Sequence, residues 1–260
     1  MEIIIKEKLK KQNTDEYCDA FDYMLSAAKE NDYDLTLQEL KVNLELIFAA
    51  HSTTASASTS LILQLMRHSE VTERARAELE AEVLIVDAPS SCCLYCNENT
   101  NACSNNLCYL DCVVKELLRF LPPVSGGYRT VLQTFELNGY QIPKGWSVMY
   151  SIRDTHETSA AYTSPEMFDP ERFATDRDES KNSRFSYVPF GGGVRRCIGR
   201  ELALLVLKTL SVELLATAEW TLATETYPSM QTVPIVHPVN GLHVHFNYRN
   251  YLNKALEHTS

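Results

Sequence analysis

Cys197 stands in the stretch FGGGVRRCIGRE (190–201), far from the other seven cysteines of the chain. Three consecutive glycines, two arginines and Phe190 crowd in front of it, and the helix-like run IGRELALLVLKTL follows. A thiol at a helix N-terminus meets unpaired backbone N–H groups and the positive end of the dipole, and both favour negative charge on its sulfur. Gly191, Gly192 and Gly193 let backbone amides approach that sulfur, and amide donors tune a metal-bound thiolate. Gly199 leaves room for something flat beside the first helical turn, and Phe190 can shield the sulfur from water. Three other readings compete for the same residues. A lone cysteine is more commonly an inert buried residue in a glycine-rich turn. A phosphate-binding loop would end in Gly-Lys-Ser/Thr, which is missing. A cysteine protease needs a histidine that only the fold can bring up.

The spacing separates these readings. The pattern F-x-x-G-x-R-x-C-x-G is met at Phe190, Gly193, Arg195, Cys197 and Gly199, a coincidence on the order of one in 10^4 to 10^5 for a chain of this size at average residue usage. With it the chain resembles the cytochrome P-450 superfamily. The resemblance implies a haem b cofactor with Cys197 as the axial thiolate of its iron, whose electron push favours O–O cleavage. It also implies cofactor contacts from Phe190, Gly191, Gly193, Arg195, Gly199 and Ala203.

Other motifs agree with it. Glu116 and Arg119 in KELLRF are three residues apart and share a helix face. Alone such a pair is usually a solvated surface pair. The resemblance adds Arg172 of FDPERF, making a buried charge network beneath the haem. It assigns Arg129 and Arg195 to the haem propionates, a natural role for guanidinium forks.

The stretch AAHSTTASASTS (49–60) is eleven Ala, Ser or Thr residues plus His51. Taken alone it reads as a tightly packed helix crossing. In the family the same place lets the backbone pass over the cofactor, with Ala49 and Ala50 against it and Thr53 and Thr54 at the oxygen site. Ala50 replaces the family's glycine. Ser52 replaces the family's acid, and a serine relays a proton but does not supply one as a carboxylic acid does. His51 lies on the same helix, where substrate contact, packing and solvent are all open to it.

Longer strings resemble the retinoic-acid hydroxylase family: YLDCVVKELLRFLPPVSGGYRTVLQTFELNGYQIPKGWSVMYSIRDTH and RFSYVPFGGGVRRCIGRELA among them. The implied function is a haem-thiolate monooxygenase that hydroxylates retinoic acid or a similar apolar carboxylic acid. It would use dioxygen and NADPH electrons passed through a cytochrome P-450 reductase. Substrate contacts would come from Val124, Gly126, Gly127 and the turn near Val233. Family members lie on the cytosolic face of the endoplasmic reticulum membrane and are about twice as long. The expectation is therefore a C-terminal half, lacking the N-terminal anchor and inactive alone. Alternatives are a haem-thiolate isomerase or lyase, a non-catalytic haem-binding fragment, or a cysteine-rich regulatory module.

The elements that must hold these residues are helical first. Residues 14–30 carry apolar residues at helical spacing. Thr36 and Glu39 form a capping box, and the helix it opens runs to about Met66. EVTERARAELEAEVL and YLDCVVKELLRF are further helices, the second stopped at Pro122–Pro123. TFELNGYQIPKG holds an Asn138–Gly139 hairpin signal, SPEMFDPERF is loop-like, and the C-terminal segment reads as strands and turns with a second Asn–Gly at 240–241. The fold class is mainly α with small β-sheets (α+β): the C-terminal half of the family fold, in one partial domain spanning 1–260.

A net charge of -10 argues against a nucleic-acid partner, which needs a basic surface. Arg196, Arg200 and Lys208 remain a local basic patch, either a docking face for an acidic reductase or plain surface charge. No stretch reads as transmembrane, because the apolar runs are short or broken by charge. Residues 87–108 are polar and cysteine-dense and read as a loop insertion. Cys93 and Cys96 form a C-x-x-C, but a zinc site needs a second pair, so free thiols are the expectation. His243 and His245 would share one strand face.

Overall fold

The computed structural model describes residues 2–11, 19–85 and 107–249. They form two units, Met1–Ser52 and Thr53–Ser260. In the first, α1 (Glu2–Lys11) and α2 (Ala20–Glu30) precede the N-terminal part of α3 (Leu37–Arg67). Asp19 caps α2 by accepting from the amides of Phe21 and Asp22, both at 3.0 Å. At α3 the capping box forms: Thr36 N–H donates to Glu39 at 2.9 Å, and Glu39 N–H to Thr36 Oγ1 at 3.3 Å. Ile5, Phe21, Leu25 and Leu40 make this unit's core.

The second unit holds the rest of α3, then α4 (Ser69–Ile85), α5 (Cys108–Phe120), α6 (Ile152–Thr158) and α7 (Arg200–Thr217). Its core is a helix-on-helix cluster built from Leu61 and Leu65 of α3, Val71, Ala75 and Leu79 of α4, Val113, Val114 and Leu117 of α5, and Leu207, Val212 and Leu215 of α7. α5 has eight buried residues and packs against α4, α6 and α7. The helix must end after Phe120, since Pro122–Pro123 offer no backbone N–H to continue it. α3 as a whole matches a membrane span by length and composition, with a mean hydropathy of 1.2 over 18 residues. This differs from the expectation that no stretch reads as transmembrane, because residues 46–66 carry no Asp, Glu, Lys or Arg to interrupt them. Leu61, Leu63 and Leu65 are nonetheless buried in the core.

The strands pair in small antiparallel sheets of two: β1 (Gly126–Thr130) with β4 (Ser147–Ser151), β2 (Phe135–Leu137) with β3 (Tyr140–Ile142), β5 (Ala218–Leu222) with β8 (Val244–Tyr248), and β6 (Met230–Gln231) with β7 (His237–Pro238). Mainly α with small sheets is the observed class. Asn138 and Gly139 turn β2 into β3 with positive φ at both positions, 52° and 81°, as a primed hairpin turn requires. Asn240 and Gly241 also turn with positive φ, yet the strands flanking them pair elsewhere. FDPERF is not all loop, since Pro170–Phe173 is a 3-10 turn capped by the Asp169 side chain. Of the cysteine-rich insertion only Leu107 and Cys108 are described, and Cys108 already opens α5. The C-x-x-C pair lies outside the described residues. His243 sits before β8, not in it, and its ring turns back to the Asn240 carbonyl at 3.0 Å, so the two histidines do not share a strand face.

Candidate functional site

The loop around Cys197 is built from backbone. Val188 C=O accepts from Gly191 N–H at 2.9 Å, a 3-10 turn spans Gly193–Arg195, and Cys197 N–H returns to Phe190 C=O at 2.9 Å. Gly191 and Gly193 take φ of 71° and 70°, with open space where a Cβ would stand. Glycine is needed there for conformation, not for room. This corrects one expectation: the Gly191 amide is spent on closing the turn and is not aimed at the sulfur. A second correction concerns Phe190, which packs against the helical core, while the Cys197 thiol is exposed. Phe190 anchors the loop; it does not cover the sulfur.

Behind the cysteine, Gly199 caps α7 and accepts from Ala203 N–H at 2.9 Å. A Cβ on Gly199 would stand 4.0 Å from the sulfur. Val194 and Ile198 are fully exposed, and Leu202, Leu205 and Val206 continue the bare apolar surface along one face of α7. The opposite face of the same helix is buried through Leu207, Ser211 and Leu215. One thiol, a surrounding apolar surface and exposed guanidinium groups at Arg195 and Arg129 fit a flat apolar group with anionic edges. Haem is such a group, and the residues present suit it.

The charge network beneath is fully formed. Arg119 grips Glu116 through Nε at 2.7 Å and Nη2 at 2.8 Å. Arg172 reaches Glu116 at 3.2 Å and donates to the carbonyls of Thr163, Ser164 and Met167. All three are at most 1% exposed. The sequence reading missed a fourth member. Glu179 accepts from Arg172 Nη1 at 2.7 Å and from Arg177 Nε at 2.9 Å. Burial raises the Glu179 carboxyl, but the hydrogen bonds from Arg177 and Arg172 outweigh it and the net shift is downward. Two carboxylates therefore meet two buried guanidiniums. No local pattern in DESKN marks Glu179 for this.

Arg129 lies on β1, opposite β4. Its guanidinium donates to Tyr128 C=O at 2.7 Å and to Tyr150 Oη at 3.1 Å, and lies 5.0 Å from the Tyr150 ring centre. Gly127 pairs with Tyr150 in the β1–β4 register, and the tyrosine ring crosses over it. The segments expected to touch substrate are joined. Ser125 Oγ donates to Thr232 C=O at 2.7 Å, and Val236 N–H to Pro123 C=O at 3.1 Å. Ser56, from the small-residue stretch of α3, donates to Val236 C=O. The segment of Val124, Gly126 and Gly127 is thus tied to the turn carrying Val233 and, through Val236, to the Ser56 part of α3.

Thr53 and Thr54 are half-buried in the second unit. Ala49, Ala50 and Ser52 belong to the first unit. Ser52 Oγ donates back to Ala49 C=O at 2.9 Å, local back-bonding of the kind that bends helices. A cavity of about 510 Å³ opens between α5 and α7, lined by Lys115, Arg196, Arg200 and Lys208 among others. Within the basic patch, Lys208 pairs with Asp111 at 2.6 Å and Arg200 with Glu201 at 2.5 Å, so two of its three cations are internally neutralised. Of the free thiols, Cys112 is buried and its pKa is pushed up to about 11 by that burial.

The family profile described as Cytochrome P450 matches residues 1–245. Cytochrome P450 26B1 of Mus musculus is 53% identical over 249 residues, covering 95% of this chain and 48% of the relative. Cytochrome P450 26C1 of Homo sapiens is 53% identical over 263 residues, covering 95% and 50%. Among solved structures, retinoic acid bound cyanobacterial CYP120A1 superposes with a TM-score of 0.81 at 36% identity, over 95% of this chain and 54% of that one. The chain spans about half the length of the curated relatives it matches.

Proposed function

The chain belongs to the cytochrome P450 family, and from that premise we propose that it carries the thiolate side of a monooxygenase acting on retinoic acid or a similar apolar carboxylic acid. The family implies haem b, with dioxygen as co-substrate and electrons from a redox partner. When bound, the haem supplies oxygen activation that no side chain can perform. Cys197 would hold its iron, and Arg129 and Arg195 would meet its propionates. The bare face of Val194, Ile198 and Leu202 would lie against the cofactor, with Ala203 one turn further along α7. Glu116, Arg119, Arg172 and Glu179 would hold the layer beneath rigid. Thr53 and Thr54 would orient oxygen and water. Ser52 would pass a proton along without being its source. Val124, Gly126, Gly127 and Val233 would contact substrate, in a wall fixed by Ser125 and Ser56.

The retinoid assignment draws on the bound retinoic acid of the cyanobacterial neighbour and on the strings shared with the hydroxylase family. Arg196 and Lys115, cations without an ion-pair partner among the described residues, would meet an NADPH-dependent reductase beside the α5–α7 cavity. For the whole enzyme we extend the reading to the cytosolic face of the endoplasmic reticulum membrane. Haem ligation, and not turnover by itself, is what the proposal assigns to this chain.

The observation that carries the proposal is the F-x-x-G-x-R-x-C-x-G loop, folded so that its thiol is presented in front of α7 amid bare apolar surface. The test is a ferrous–CO difference spectrum of the purified chain with added haem. A thiolate-type, red-shifted Soret band is expected, and Cys197→Ser should abolish it. A histidine-type band in the wild type, or no band, would count against the reading.

A further inference from the structure

His156, on α6, is 0% exposed, and both of its ring nitrogens are engaged. Nε2 lies 3.0 Å from the Val188 amide. An amide nitrogen can only donate, so Nε2 accepts and Nδ1 must carry the ring proton. Nδ1 then donates to Arg119 C=O at 3.1 Å. That carbonyl is in the last turn of α5 and is one of the acceptors a helix leaves without an internal partner. The ring also stacks on Tyr187, with centroids 5.7 Å apart.

Val188 opens the turn that Gly191 closes, and Phe190, inside that turn, receives the Cys197 amide. One ring therefore joins the carboxyl end of α5, where Glu116 holds the Arg119 guanidinium, to the first residue of the cysteine loop. We propose that His156 is a positioning residue for Cys197. Its Nδ1-protonated ring sets where the Val188–Gly191 turn begins relative to α5, and so how the loop presents its sulfur. The consequence for haem rests on reading Cys197 as the iron ligand; the positioning itself does not.

The experiment compares wild type, H156Q, H156L and H156N in the full chain. Glutamine can accept from Val188 and donate to Arg119. Leucine fills space but does neither. Asparagine reaches the Nδ1 position alone, and it serves as the uncoupling variant if leucine prevents folding. Hydrogen exchange is measured without haem at the Val188, Gly191 and Cys197 amides and at core amides of α7. Ferrous–CO spectra are then recorded with haem.

H156L and H156N should speed loop exchange about five- to tenfold, as loss of a hydrogen bond allows, with α7 core exchange unchanged. Their thiolate-type band should shrink in favour of a non-thiolate form, and H156Q should recover most of both signals. Unchanged loop exchange in H156N, equal acceleration in loop and core, or no recovery by H156Q would overturn the proposal. If the wild type shows no thiolate band, the Cys197 reading fails, and the exchange comparison still decides the role of His156.

Discussion

Arg172 meets Glu116 at 3.2 Å across fifty-six residues of sequence, with neither side chain exposed. A buried guanidinium tolerates that place only because its charge is answered and its donors are used. Arg172 gives its four remaining hydrogen bonds to Glu179 and to three carbonyls. Glu116 in turn accepts the Asp169 amide at 2.8 Å. The network therefore ties α5 to the segment that leads toward the cysteine loop, and it is electrically balanced by Glu179.

Glu116→Gln should cost about 3–5 kcal/mol, because the buried Arg119 would lose the carboxylate it grips and Arg172 would lose one of its two. Glu179→Gln should cost less, since Glu116 stays in place to answer both Arg119 and Arg172, and Glu179 meets only Arg172 of that pair, beside the partly exposed Arg177 at the rim of the network. Urea unfolding of the two variants measures the difference. Equal losses would mean that the rim and the centre carry the same load, contrary to the geometry.

Part of this arrangement was legible because its signals are local. The Thr36–Glu39 box, the stop at Pro122–Pro123 and the Asn138–Gly139 turn each depend on neighbours within a few residues. The cysteine loop was legible because its spacing is rigid. Glu179 and His156 were not, since what makes them important is contact with residues far away in sequence. The fate of Asn240–Gly241 shows the same limit: the turn chemistry was readable, but β7 and β8 choose other partners. The exposure of Cys197 and the spent amide of Gly191 likewise follow from how the loop closes, which glycine content alone does not tell.

Acid should weaken the fold through His156 before it does so through the carboxylates. Burial lowers its pKa from 6.5 to about 4, against the opposing effect of its bond to the Arg119 carbonyl. Between those values the unfolded chain binds a proton that the native ring refuses, so stability falls as pH drops from about 6.5 to 4, by on the order of 3 kcal/mol. H156Q should flatten that interval. Glu179, held below its usual 4.5, adds a loss at lower pH that H156Q keeps. Unfolding midpoints measured from pH 7 to 4 check this, and parallel curves for the two proteins would refute it.

The paired glycines of β1 should differ in cost. A Cβ on Gly126 would stand 2.3 Å from the Tyr150 carbonyl oxygen, a backbone atom of the partner strand. Gly126→Ala must part β1 from β4, at about 2–3 kcal/mol. On Gly127 the Cβ would meet the Tyr150 hydroxyl at 2.7 Å, and the ring can swing aside. Gly127→Ala should therefore cost about 1 kcal/mol while releasing Tyr150 from Arg129. Thermal unfolding of both variants tests the order, and a costlier Gly127→Ala would contradict it.

Ser125 should matter more to substrate than to haem. Its hydroxyl holds the Thr232 carbonyl at 2.7 Å and so keeps the Val124–Gly127 segment beside the turn of Val233. The Val236–Pro123 bond joins the same two segments at a neighbouring point, and Ser56 ties one of them to α3, so Ser125→Ala should loosen the wall without dissolving it. A stability loss of about 1 kcal/mol is expected, the net worth of one such hydrogen bond. Haem content should stay as in the wild type, because none of the three ties reaches the cysteine loop. Retinoic acid, if this wall receives it, should bind several-fold more weakly, since the wall would have to be ordered at the ligand's expense. Titrating retinoic acid into haem-loaded wild type and Ser125→Ala measures the shift. Loss of haem with unchanged retinoid affinity would assign Ser125 to the cofactor side and remove it from the substrate wall.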